Sequence, residues 1–158
     1  MLNLTNEILY KITTALDLDN EKIIKIYSIG NYNMLPLHLE NLLKKSQDDG
    51  FEICNYEELG TFIDALIIFK RGKSSKKRDD EVIELTNNLI LKKLRIALEL
   101  KESEIEIIFG LADIELTKQQ LSSLFRNENN KNFKLCSDEL LISFLDGLNE
   151  FYFVGEIE

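Results

Sequence analysis

Chemistry in this chain would have to start from one histidine, His38, two cysteines, Cys54 and Cys136, and two aspartates, Asp64 and Asp146, set in strongly apolar stretches. His38 lies between Leu37 and Leu39 on a short helical pattern, where a lone imidazole with no orienting partner nearby in sequence gives no basis for proton transfer. A single histidine also excludes HExxH and any multi-histidine metal site, and no Walker loop, GxGxxG or GxSxG occurs. The cysteines stand 82 positions apart, form no CxxC pair, and are expected to stay reduced. Each precedes a polar cap, Asn55 or Ser137, with Leu59 or Leu141 at the spacing of a hydrophobic staple, so each reads as a small buried residue fixing the start of a helix. The acidic residues that follow, among them Glu57, Asp138 and Glu139, disfavour a thiolate. Asp64 and Asp146 would form a carboxylate pair, with a raised pKa or a cation between them, if symmetry brought them together; solvated positions on an outer helix face explain them equally well. No catalytic set and no cofactor motif emerges, and a non-enzymatic protein is expected.

The recurrence of Cys54 at Cys136 and Asp64 at Asp146 extends over the whole chain. Offset by 82, residues 6–72 align with 88–154 without a gap, and 19 of those 67 pairs are identical, among them Asn6, Lys11, Leu59 and Phe62 with their counterparts. Unrelated sequences of average composition would match at roughly one position in sixteen. The chain is therefore an internal duplication. Each copy reads as four helices: near 6–16 with Thr5 or Asn6 as cap, near 20–30, near 36–45 and near 56–69 in the first, and the same positions plus 82 in the second. Pro36 suits the first turn of one third helix, and Thr117 with Gln120 forms a capping box on the other. The "FEIC" and "NFKLC" stretches suggest brief strands. The expected fold is all-α: two tandem four-helix repeats, residues 1–69 and 82–158, related by pseudo-twofold symmetry and packed into one compact unit. Packing is expected because a repeat of about 70 residues buries little more than about 60% of its unfolded surface alone.

The sequence has 158 residues, 44% of them hydrophobic and 30% charged, with a formal net charge of −9. Residues 1–69 carry 5 basic and 11 acidic side chains, residues 82–158 carry 8 and 14, and the stretch 70–81, "KRGKSSKKRDDE", carries 6 and 3. That stretch has the composition of a basic, solvated linker. Acidic lobes oppose attraction to phosphate backbones and anionic membranes. No apolar run approaches a bilayer span and no signal-peptide pattern opens the chain, so a cytoplasmic location is expected.

The segments "NNLILKKLRIALEL", "TKQQLSSLFR" and "NFKLCSDELLISFLDGL" of the second repeat resemble the YehS family of bacterial proteins, tandem duplications of one domain of unknown function. The resemblance covers nearly the whole chain and implies the duplicated fold but no activity. The first repeat departs from it: Thr13 stands against Arg95, "CNY" against "CSD", and Leu35 against Thr117.

Two surfaces remain as candidates for partners. Residues 103–127 resemble a helix-turn-helix whose second helix would present Lys118, Gln119, Gln120, Ser122, Ser123 and Arg126 to nucleic acid, a reading the net charge disfavours. At the other surface, Tyr152, Phe153 and Val154 replace Lys70, Arg71 and Gly72 of the first repeat, and consecutive apolar residues there suit a protein partner or self-association. A protein-interaction module is the expected function, with nucleic-acid binding as the alternative.

Overall fold

The computed structural model describes residues 4–72 and 84–157, with side chains through Phe153. Eight helices occur among these residues: α1 (Leu4–Ala15), α2 (Asn20–Ile29), α3 (Pro36–Leu42), α4 (Tyr56–Arg71), α5 (Asn87–Leu98), α6 (Glu102–Leu111), α7 (Lys118–Leu124) and α8 (Asp138–Ile157). No strand is present among the described residues; "FEIC" and "NFKLC" lie in loops. The fold is two tandem four-helix repeats. Most of the connector, from residue 73 to 83, lies outside the described residues, and α4 itself continues through Lys70 and Arg71 to end at Gly72.

Local chemistry sets the helix limits twice over. Asp19, Asn55, Thr86 and Thr117 accept a first-turn N–H and cap α2, α4, α5 and α7, and Ser137 Oγ accepts from Leu140 N at the start of α8. The capping box of Thr117 and Gln120 forms as expected, and Pro36 occupies the first turn of α3. Thr5 and Asn6 are not caps, because α1 already begins at Leu4 and both side chains are buried inside its first turn. After α1 and α5 the chain reverses through left-handed residues at Asp17 and Glu99, and after α2 and α6 at Asn31 and Asp113, each pair 82 positions apart.

The repeats interlock rather than stand side by side. α1 packs on α8 of the other repeat and α4 on α5, while α2 packs on α4 and α6 on α8 within each copy. The first and last helices of both halves therefore make a central four-helix layer, flanked by α2 and α6. One continuous core results, built from the apolar stripes Ile8, Leu9 and Ile12 of α1, their α5 counterparts, and Phe62, Leu66, Phe144 and Leu148 of α4 and α8. Equivalent ring pairs, Tyr27 with Phe62 at 5.4 Å and Phe109 with Phe144 at 5.2 Å, hold the flanking helices.

This exchange explains two identities of the duplication. Lys11 Nζ lies 2.6 Å from Asp146 Oδ1, and Lys93 Nζ lies 2.6 Å from Asp64 Oδ1. The aspartates do not pair with each other; each meets a lysine of the opposite repeat, because the first helix of one half lies against the last helix of the other. Both bridges are partly solvated, with Asp146 56% exposed, so they set register more than stability. Lys11→Met and Asp146→Asn, made singly and together, are expected to show a coupling of about 0.5 kcal/mol in urea unfolding, shrinking at high salt.

Candidate functional site

Both cysteines sit where the staple argument puts them. Cys54 and Cys136 are buried free thiols one residue ahead of the caps Asn55 and Ser137, with Leu59 and Leu141 buried one turn beyond. Burial, and after it the Glu58 charge, pushes the Cys54 thiol up to about 12, and burial with Asp138 pushes Cys136 up to about 11. Neither is a nucleophile at neutral pH.

His38 is not the isolated side chain that the sequence suggests. Its Nδ1 lies 2.9 Å from Glu52 Oε2 and its Nε2 lies 2.5 Å from Glu58 Oε2. Glu58 is 3% exposed and accepts from two further donors, Tyr32 OH at 2.7 Å and the Asn55 amide at 3.2 Å, the latter completing the capping box of α4. Asn41 Nδ2 donates to Glu52 Oε2 at 3.1 Å. One imidazole thus joins α3 to the 51–55 segment and to the first turn of α4. The second repeat has Ile114, Gln120, Ser123, Lys134 and Leu140 at the matching positions, so the network belongs to the first repeat alone. That joint departure of five residues from the duplication was the sequence signal for it; distance along the chain hid the contacts.

Carboxylates only accept, so two of them facing both ring nitrogens favour the doubly protonated imidazolium. Desolvation pulls the His38 pKa down, but the hydrogen bonds to Glu52 and Glu58 and their charges outweigh it and raise the value. The bond from His38 holds Glu52 below the usual carboxylate range. Burial, followed by the bond to Glu58, lifts Tyr32 to about 12, keeping it a donor at neutral pH. A group with a raised folded pKa adds stability that is complete below its unfolded value near 6.5 and lost as pH rises through the folded value. The stability difference between the protein and His38→Gln, the residue of the second repeat, is therefore expected to be largest at pH 6 and to narrow steadily toward pH 9 in urea titrations. A pH-independent difference would show that folding does not raise the His38 pKa.

With both nitrogens engaged, the imidazole has none free for a substrate, and its two carboxylates lie on opposite sides of the ring. No group of three or more His, Cys, Asp or Glu is arranged to hold a metal ion among the described residues. The arrangement is a clamp, and four large apolar side chains on the elements it joins are exposed. Leu35 and Leu37 at the start of α3 are 59% and 67% exposed, and Ile53 and Tyr56, beside the clamped Glu52 and Asn55, are both 63% exposed.

The candidate nucleic-acid residues differ in exposure and setting. Lys118, Gln119 and Gln120 are exposed on α7, but Ser122 and Ser123 are half-buried, and Arg126 lies beyond the end of the helix. Gln120 Oε1 is held by the Thr117 amide and Ser123 Oγ by the Gln119 carbonyl. Lys118 borders a depression with Glu106 and Glu115, whereas Arg126 lines a different cavity of about 330 Å³ with Lys92, Phe125 and Phe133. The chain between α6 and α7, Ala112 to Thr117, is longer than the roughly three- to four-residue turn of a helix-turn-helix. On α8, Tyr152 is half-buried, edge-on to Phe151 at 5.5 Å, and Phe153 is 62% exposed; the Val154 side chain lies outside the described residues.

A family model described as "Protein of unknown function (DUF1456)" matches the chain twice, over residues 5–72 and 87–152. The chain belongs to this family. The two matches fall one on each repeat, so the duplicated unit is the family's own domain. "Uncharacterized protein YehS" of Escherichia coli (strain K12) is 32% identical over 146 residues, covering 92% of this chain and 94% of the relative. No solved structure matches. No helix among the described residues is long and apolar enough to cross a membrane.

Proposed function

We propose that this DUF1456 member is a non-enzymatic protein-binding module, and that it docks a partner through the face formed by Leu35, Leu37, Ile53 and Tyr56. The observation that supports this is the concentration of four large, mostly exposed apolar side chains on elements locked to one another by His38, Glu52 and Glu58. A rigid apolar face costs little ordering entropy on association. The matching positions of the second repeat are Thr117, Gln119, Leu135 and Asp138, so the face is no general requirement of the fold. The candidate contacts at Tyr152 and Phe153 are the lesser surface, since Tyr152 packs on the core. Nucleic-acid binding is the weaker reading, because Lys118 and Arg126 line separate depressions and the chain carries −9.

Site-specific photo-crosslinking tests the proposal. A photoreactive residue at position 37 or 53, in the native cell, is expected to give discrete crosslinked species that a Leu35→Ser background weakens. The same residue at position 119 is expected to give none. Absence of crosslinks at 37 and 53, with unchanged melting temperatures, would refute the docking face.

A further inference from the structure

The cavity of about 330 Å³ that Arg126 lines lies in the second repeat, between the first half of α5, the end of α7 and the segment that follows it. Its walls are fixed. Asn88, 9% exposed, lines it and donates through Nδ2 to the carbonyls of Leu124 and Lys134, so both ends of the 125–133 segment are tied to α5. Between those ends the Asn130 amide donates to the Asn127 carbonyl at 2.8 Å, and the Phe133 amide to the Asn130 carbonyl at 3.0 Å. A wall already built keeps the ordering cost of binding low, and the volume is at the small end for ligand sites, suited to a metabolite.

Four charged side chains line this cavity, Lys92 and Arg126 with Glu84 and Glu128. None is within salt-bridge distance of another; the salt bridges among the described residues use Lys11, His38, Arg71 and Lys93. Phe125 and Phe133, both half-buried, supply apolar wall, and the Arg95 guanidinium lies 4.8 Å from the centroid of the Phe125 ring. The duplication does not require these residues. Leu2, Tyr10 and Ser46 stand for Glu84, Lys92 and Glu128 in the first repeat, and Lys44, which stands for Arg126, donates to the Asp49 carbonyl at 2.8 Å.

We propose that the cavity binds a small amphoteric molecule with an apolar side chain, the chemistry shared by free α-amino acids and short peptides. Arg126 and Lys92 take its carboxylate, Glu84 and Glu128 its ammonium group, and Phe125 and Phe133 its side chain. A purely anionic ligand would meet two carboxylates, and a purely cationic one two cations. An uncharged one would leave all four charges without a partner, whereas an amphoteric ligand answers both signs with charge-assisted hydrogen bonds. The site is independent of the docking reading, which concerns the first repeat, and it calls for no reaction of the ligand.

Titration of the isotope-labelled full chain with L-phenylalanine, followed by amide NMR shifts, tests the proposal. Shifts are expected within residues 84–92 and 125–133 and not within 114–118, beside the other depression. The analogues 3-phenylpropionate and 2-phenylethylamine each lack one charged group and should bind about tenfold more weakly or worse. Arg126→Gln should weaken L-phenylalanine about tenfold and Phe133→Ala severalfold, with Lys118→Gln as the unchanged control. Arg126 is exposed, so its variant reports on binding even if Phe133→Ala lowers the melting temperature. Glycyl-phenylalanine separates the two sources: tighter binding than L-phenylalanine assigns the site to peptides, weaker binding to the free amino acid. Either analogue binding as tightly as L-phenylalanine would overturn the amphoteric assignment. An unchanged affinity in Arg126→Gln, or no shift with L-phenylalanine or glycyl-phenylalanine up to about 10 mM, would overturn the site.

Discussion

Asn6→Ala and Asn88→Ala are each expected to lower stability by about 3 kcal/mol, seen as a reduced urea midpoint at unchanged slope. Asn6 Nδ2 donates to the carbonyls of Leu42 and Glu52, both at 2.9 Å, and its Oδ1 accepts the Cys54 amide at 2.9 Å. Asn88 repeats the set with Leu124 at 3.0 Å, Lys134 at 2.8 Å and the Cys136 amide at 2.9 Å. Each side chain thus closes the last turn of a short third helix and the loop before the fourth helix onto the first. Truncation would orphan two carbonyls and one amide in a region where these asparagines are 3% and 9% exposed. Each orphaned group costs about 1–3 kcal/mol, less where water can reach it. Asn6→Asp separates hydrogen bonding from packing: it keeps the shape but turns an acceptor toward two carbonyls, and should be at least as damaging as alanine. A mild Asn6→Asp would mean that water satisfies those carbonyls.

Gly147→Ala is the second large effect, expected at about 3 kcal/mol. A Cβ at Gly147 would stand 2.0 Å from the Ile108 carbonyl oxygen and 3.0 Å from its carbon, so α6 would have to move off α8. The obstacle is backbone, which cannot rotate aside. Gly110 on the same α6 is the control, since a Cβ there meets nothing within 4 Å. Gly110→Ala should stabilise by about 0.5–1 kcal/mol through helix propensity alone. If both changes were neutral, α6 and α8 would have to lie farther apart than the glycine contact requires.

The duplication was legible because it is written in residue identities, and the helices because their apolar spacing is local. What lay beyond reach was the partner of each marked residue. Asn6 stood out as a retained polar residue, but nothing local says that the end of α3 and the 51–54 loop come alongside it, so a cap was the natural expectation. Lys11 and Asp64 were both retained, yet their pairing with Asp146 and Lys93 depends on the crossed helix arrangement, which periodicity does not encode. His38 appeared solitary because its carboxylates are 14 and 20 residues away on other elements. Its site becomes visible only when the copies are compared for joint differences rather than for shared positions.

The crossed packing of α1 on α8 also has a consequence for synthesis on the ribosome. Lys11 and Asp146 are 135 residues apart in sequence, so the side of α1 that meets α8 stays uncovered until the last helix emerges. At about 5–20 residues per second, that interval is on the order of ten seconds. The pairing of α4 with α5 bridges only the connector and can form much earlier. The α1–α8 contact should therefore close last, with that side of the nascent N-terminal helix exposed to chaperones meanwhile.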